Sequence, residues 1–287
     1  RGETISSKRE CNLMSIKTIA KEKQVAVGTR PPRVDGKSKV TGAALYGTDI
    51  NLPGLLHGRI LRSPHAHARI LSIDTRRAEV LPGVYAVVTA DDLPEAEDKT
   101  QKAGESTVNY KFLRDNNLAS EKVLYVGHAV AALAASTPHI AEAALDLIEI
   151  EYDILPAVLD VRQAMNREAE VLHEQIKTDT PDGHSDRSSN IAKHIRHLKG
   201  DPDVGFAAAD VIIERDFKTH PVHQSYLEPH AATATWGVDG ILTIYTSTQG
   251  IFLARELISE LLHYPMSKIK VIPTEIGGGF GGKNPIY

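Results

Sequence analysis

The chain contains a single cysteine, Cys11. It can form no internal disulfide, no thiolate metal site and no iron–sulfur cluster of its own. Aromatic side chains are also scarce: five Phe, nine Tyr and one Trp leave little from which to build a base-stacking surface. Neither sign of charge dominates. With 33 Lys and Arg against 37 Asp and Glu, the formal net charge is −4, and there is no basic footprint for nucleic acid. No apolar run approaches the ~18 residues of a membrane-spanning helix. The opening stretch "RGETISSKRECNLMSIKTIAKEK" lacks the apolar core of a signal peptide. Together these absences predict a cytoplasmic protein with no membrane span.

What is present is a globular composition. At 287 residues, 41% apolar and 24% charged, the chain is long enough for about two domains with real cores. Numbering begins at Arg1 rather than Met, and Lys8-Arg9-Glu10 can be encoded by AAA AGG GAG, a purine-rich ribosome-binding sequence just ahead of Met14. Arg1 to Leu13 are therefore expected to be translated leader, and residues 1–34 an N-terminal arm.

The first structured unit, residues 35–160, reads as α+β. "RILSIDT" (69–75) alternates apolar and polar residues as a half-buried strand does. A short helix follows in "TRRAEVL" and ends at Pro82-Gly83. "VYAVVTA" (84–90) is a second strand, and residues 91–117 read as a long excursion too charged to bury. "HAVAALAA" (128–135) has the small residues of a strand covered on both faces. Thr137-Pro138 then caps and opens a helix through "HIAEAALDLI", and "EIEYDILP" returns as strand. Residues 161–199 read as a surface linker. His173, His184, His194 and His197 lie in it without carboxylates or thiolates at ligand spacing, so they read as solvated rather than as a metal site. In the second unit, residues 200–287, strands are predicted at 211–217, 231–236 and 241–246. An amphipathic helix over 250–263, with Leu253, Leu257, Ile258 and Leu261 on one face, and a strand at 269–273 complete it.

That last strand delivers "TEIGGGFGGKNPIY". Gly277, Gly279 and Gly282 spell the dinucleotide pattern G-x-G-x-x-G, but Asn284-Pro285 is a turn dipeptide where a helix should start. Gly277 to Lys283 spell G-x-x-x-x-G-K, but Asn284 stands where a P-loop needs Ser or Thr. Both nucleotide readings are thereby disfavoured. Consecutive glycines still let backbone N–H groups approach a ligand and turn inward as an anion-binding nest. A tight turn with a close backbone crossing would explain two or three glycines. It would not need five of them around Phe280, so a ligand is the expectation.

The segments "RVDGKSKVTGAALYGTDI", "LHGRILRSPHAHARI", "PGVYAVVTADDLP", "VGHAVAALAA" and "STQG…IKVIPTEIGGGFGGK" occur in one order from Arg33 onward. In that order they resemble the molybdenum-binding subunit of the xanthine dehydrogenase and aldehyde oxidase family, the molybdenum hydroxylases. Among members the chain is most similar to bacterial multi-subunit enzymes such as 4-hydroxybenzoyl-CoA reductase. The resemblance implies an α/β hammerhead domain over 35–160 and, from 200, the beginning of a molybdopterin-binding domain. It implies a molybdenum–molybdopterin cofactor, in plain or cytosine dinucleotide form, covered by Gly278, Gly279, Phe280, Gly281 and Gly282, with Gln249 donating from its amide toward the metal centre. The metal itself is held by the pterin, with no direct protein ligand.

Iron–sulfur clusters and FAD are implied on partner subunits. The substrate would be an aromatic, heterocyclic or aldehyde molecule, oxidised or reduced. Purine-hydroxylating members often carry Glu directly after the loop lysine, where this chain has Asn284, so a purine is not implied. "YLEPHAATA" is similar to the segment ahead of the family's active-site entrance, and Glu228 and His230 there read equally as ordinary strand-edge polars. The general-base glutamate is not in this chain and is expected downstream or on a partner. The leading expectation is thus the N-terminal half of a split subunit that works with a second molybdopterin-binding chain. A non-catalytic assembly subunit and a nucleotide-binding module are the alternatives.

Overall fold

A computed structural model describes residues 28–103 and 106–284. The expected leader, Cys11, Met14 and Pro285 lie outside the described residues. The chain divides into two compact units after Ala44. The first holds, among its described residues, one short helix, α1 (Gly36–Val40).

In the second unit, strands β1 (His57–Arg62), β2 (Ala68–Asp74) and β3 (Val84–Thr89) enclose the short helix α2 (Arg76–Glu79). The hairpin β4 (Thr100–Ala103) and β5 (Ser106–Asn109) leads into α3 (Tyr110–Asn117). Next come β6 (Lys122–Val123), β7 (Ala129–Ala135), α4 (Pro138–Leu145) and β8 (Glu149–Ile154). These strands form two three-stranded antiparallel sheets, β1-β7-β3 and β6-β2-β8. β7 is central, and its small residues are covered from both sides. Ala131, Leu133 and Ala135 pack with Ala141 and Ala144 of α4, while Val130 packs with Ala68, Ala119 and Val123. The alanines let helix and sheet approach closely. Thr137 caps α4 by accepting from the N–H of Ile140 at 3.2 Å, and Pro138 opens it.

Residues 91–117 correct the sequence reading, because the segment expected to be too charged for burial holds a hairpin and α3. Asn109 caps α3 by accepting from the N–H of Phe112 at 3.1 Å. Arg114 is only 7% exposed, and its guanidinium donates to the carbonyls of Ala90 at 2.7 Å and Pro94 at 2.9 Å. A charge so matched can be buried. Tyr110 packs with Leu257 in a separate small core.

Within 161–199 lie a short helix, α5 (Val161–Ala164), and a hairpin of β9 (Lys177–Thr180) and β10 (Gly183–Ser188). His173 in this region is half-buried against Phe112, with ring centroids 5.2 Å apart, rather than solvated. After α6 (Pro202–Ala207), the strand expected over 211–217 does not form. Val211, Ile213 and Phe217 are 74%, 73% and 91% exposed, and no described segment pairs with their backbone. Apolar residues of the right kind do not make a strand without a ladder partner.

The end of the chain is a βαβ unit with an added antiparallel strand. β11 (Ala232–Trp236) pairs antiparallel with β12 (Leu242–Thr246), α7 (Ile251–Leu262) crosses over, and β13 (Ile269–Pro273) pairs parallel with β12. A parallel neighbour requires such a crossover. α7 buries Ala254 and Leu257 and ends at His263, which caps it in the left-handed conformation at φ 48°. None of the described helices is long and apolar enough to cross a membrane.

Candidate cofactor site

In the register of the parallel pair, Thr246 at the end of β12 lies beside Pro273 at the end of β13. The segments leaving those two ends therefore emerge side by side. One carries Gln249 and the other the glycine loop, although about thirty residues separate them in sequence. The carboxyl ends of parallel strands are where open α/β sheets bind ligands.

Gln249 locks onto the loop through both backbone and side chain. Its N–H donates to the carbonyl of Lys283 at 3.0 Å. Its Oε1 accepts from the N–H of Gly281 at 3.0 Å and from that of Lys283 at 3.3 Å. Backbone N–H groups can only donate, so they fix which end of the amide is oxygen. The NH₂ must point the other way, and it has no acceptor among the described residues. Gln249 is exposed, so that donor faces outward.

The loop itself turns at residues 279–282, where the N–H of Gly282 donates to the carbonyl of Gly279 at 2.7 Å. Both central residues have positive φ, 50° at Phe280 and 85° at Gly281, the sign pattern of a type I′ turn. A bulky residue in that conformation is strained, and such strain concentrates at functional positions. Phe280 is also 72% exposed. Gly278 has φ 99°, while Gly279 between it and Phe280 is not positive. The N–H groups of Gly278, Gly279 and Phe280 donate to no acceptor among the described residues. Successive N–H groups on a backbone of alternating φ sign form a nest for an anion or another acceptor-rich ligand.

The glycines correct the sequence argument. A Cβ at Gly277 would lie 2.5 Å from Cβ of Glu228, one at Gly279 2.6 Å from Oε1 of Gln249, and one at Gly282 2.7 Å from Cε1 of Tyr226. Close approach by the chain's own side chains, together with positive φ at Gly278 and Gly281, accounts for all five. Their number alone therefore does not require a ligand. The unpaired donors and the strained, exposed Phe280 are what point to one.

Beneath the loop lies an ion pair that sequence reading missed. Lys283 Nζ donates to Glu228 Oε2 at 2.6 Å, with the two side chains 0% and 9% exposed. Glu228 also accepts from the N–H of Gly277 at 2.7 Å and from that of Gly47 at 3.3 Å. Burial alone would raise the Glu228 pKa. The Lys283 ammonium and the two backbone donors outweigh it and hold the carboxyl below its ordinary value. Lys283 Nζ also sits 5.0 Å from the centroid of the Tyr226 ring, whose hydroxyl is hydrogen-bonded to Nε2 of His230 at 2.7 Å. Removing one partner of a buried pair costs about 3–5 kcal/mol. No local signal marks this pair, because its members stand far apart in sequence and Lys283 shows only as the lysine of an incomplete P-loop.

A cavity of about 880 Å³ lined by Phe112, Arg114, Lys122 and His173 lies elsewhere. Two of its cations are already engaged, Arg114 by backbone carbonyls and Lys122 by Glu174 at 3.1 Å.

The two regions define an α+β hammerhead domain joined to part of a molybdopterin-binding domain. Residues 41–156 match the family model described as aldehyde oxidase and xanthine dehydrogenase, a/b hammerhead domain. Residues 183–287 match the molybdopterin cofactor-binding domain. The chain is 36% identical over 259 residues to a probable xanthine dehydrogenase subunit of Bacillus subtilis, covering 90% of this chain and 32% of that protein. It is 31% identical over 265 residues to the nicotinate dehydrogenase large molybdopterin subunit of Eubacterium barkeri, covering 92% and 57%. The solved structure of reconstituted CO dehydrogenase from Oligotropha carboxidovorans superposes with a TM-score of 0.74 at 34% identity, covering 91% of this chain and 32% of that one. The chain belongs to the molybdenum hydroxylase family. It spans about a third of the length of the first of these relatives, 32%.

Proposed function

We propose that the chain supplies the cofactor-covering loop of a molybdenum-dependent hydroxylase or dehydrogenase acting on an aromatic, heterocyclic or aldehyde substrate. The observation that carries this reading is the donor set at the ends of β12 and β13. The Gln249 NH₂ is aimed away from the loop by two N–H bonds to its oxygen, and the N–H groups of Gly278, Gly279 and Phe280 stand unpaired beside it. Donors without acceptors suit a group rich in oxo and phosphate oxygens, and molybdopterin is such a group.

Gln249 and Gly278 through Gly282 would hold the cofactor, as molybdopterin or its cytosine dinucleotide. When bound, that group supplies a two-electron redox centre. The chain's own residues supply positioning: the uncharged Gln249 amide donates without adding a buried charge, and the Phe280 ring shields the centre from water. The general-base glutamate and much of the remaining cofactor surface belong to sequence outside this chain, either downstream or on a second molybdopterin-binding chain. Electrons would leave through iron–sulfur and FAD subunits, since one cysteine provides no cluster here.

Purification of the native complex tests this. Molybdenum, iron and flavin should co-purify with the chain in stoichiometric amounts. A fully assembled complex without molybdenum would overturn the reading and leave an assembly role.

A further inference from the structure

We propose that Glu228 and Lys283 are a positioning pair, a latch that holds the glycine loop in the shape its outward donors require. The inference rests on the cofactor reading above for its purpose but not for its geometry. Glu228 ties together three separate backbone segments. Its Oε2 takes the N–H of Gly277 at the start of the loop and the ammonium of Lys283 at its end, and its Oε1 takes the N–H of Gly47. Its own N–H donates back to the carbonyl of Gly277 at 3.2 Å. The backbone of Lys283 is in turn the partner of Gln249 in both directions, and Thr248 Oγ1 donates to the same carbonyl at 3.0 Å. Moving Lys283 therefore moves the amide of Gln249 and the turn that carries Phe280.

An apolar pair of equal volume would fill the space as well. It could not accept the N–H of Gly277, and it would place no positive charge under the nest. Lys283 Nζ has the Glu228 carboxylate and the Tyr226 ring as its contacts among the described residues. The ammonium therefore depends on that one carboxylate to stay buried. Glu228 and Lys283 touch no reacting atom in this account and act through the loop.

The test uses the native complex carrying Glu228→Gln, Lys283→Met, or both. Each single change leaves one buried charge unpaired, whereas the double variant is neutral and keeps an acceptor for Gly277. Hydrogen exchange of the Gly281, Gly282 and Lys283 amides reads the loop directly, because Gln249 and Gly279 protect them. The singles should exchange about tenfold faster or more, and the double variant should recover most of the protection. Molybdenum content should fall in the singles and return in the double. Where metal is retained, the paramagnetic resonance signal of the half-reduced metal should shift, which general destabilisation would not cause. Unchanged exchange in both singles overturns the latch. Failure of the singles and the double alike to assemble also overturns it, since the pair would then serve stability alone. Faster exchange with molybdenum fully retained and its resonance signal unchanged supports the latch and instead sinks the cofactor reading of the loop.

Discussion

Substituting Gly279 by Ala should act through one side chain, Gln249. The new Cβ would lie 2.6 Å from Oε1, 2.8 Å from Cδ and 3.1 Å from Cγ of Gln249, the three atoms nearest to it. Contacts that short force the glutamine to swing away. It then loses the hydrogen bonds from Gly281 and Lys283, each with a net contribution of about 0.5–1.5 kcal/mol, so the change should cost about 1–3 kcal/mol. Gly281→Ala is the control. No atom lies within 4 Å of its added Cβ, and its cost comes from the left-handed backbone at φ 85°, about 1–2 kcal/mol. The single costs overlap, so the decisive comparison is made on a Gln249→Ala background. With the long side chain gone, Gly279→Ala should become cheaper by about 1–3 kcal/mol, while Gly281→Ala should keep its cost. Urea unfolding of the purified complex, followed by the hydrogen exchange of the loop, measures both. Equal costs of Gly279→Ala in the two backgrounds would refute the account of why position 279 is glycine.

Phe280 occupies a position that its own backbone disfavours, so Phe280→Gly should stabilise the loop by about 1 kcal/mol while turnover of the complex falls. Phe280→Ala should leave assembly intact and lower turnover similarly. Unchanged turnover with metal bound would show that the ring does not cover the centre. His128 is fully buried, its Nδ1 accepts from the N–H of Leu124 at 3.2 Å, and burial pushes its pKa below 6.5. As pH falls below about 6.5 the unfolded chain takes up a proton that the folded ring refuses, so stability declines until the lowered folded pKa is reached. Urea midpoints at about pH 7.5 and about pH 5.5 should show this loss, and His128→Gln should lose less. An unchanged pH dependence in that variant would rule His128 out as a source.

Periodicity carried much of the fold. β7 and α4 were legible because a run of small apolar residues and a Thr-Pro start leave few other options, and β12, α7 and β13 because an apolar stripe sits between two short apolar runs. α3 was hidden because its charged residues suggested solvent, whereas Arg114 is satisfied by carbonyls that no local pattern reveals. The strand expected over 211–217 shows the reverse case, an apolar pattern without a neighbour to pair with. The association of Gln249 with the glycine loop came from family resemblance, since spacing alone suggested a helix-start residue. Its physical cause is the parallel register that brings Thr246 beside Pro273. Close approach and positive φ account for the glycine count, whereas nothing in the chain accounts for the unpaired donors among the described residues, and no local pattern displays them. The Glu228–Lys283 pair, formed across the fold, left no trace in either segment.

Locating the metal tests the central claim most directly. Anomalous diffraction from crystals of the native complex, collected at the molybdenum absorption edge, should place a single strong peak against the Gln249 amide and beneath the Phe280 ring. A peak remote from both, in a complex that carries molybdenum, would contradict the claim that this loop covers the cofactor.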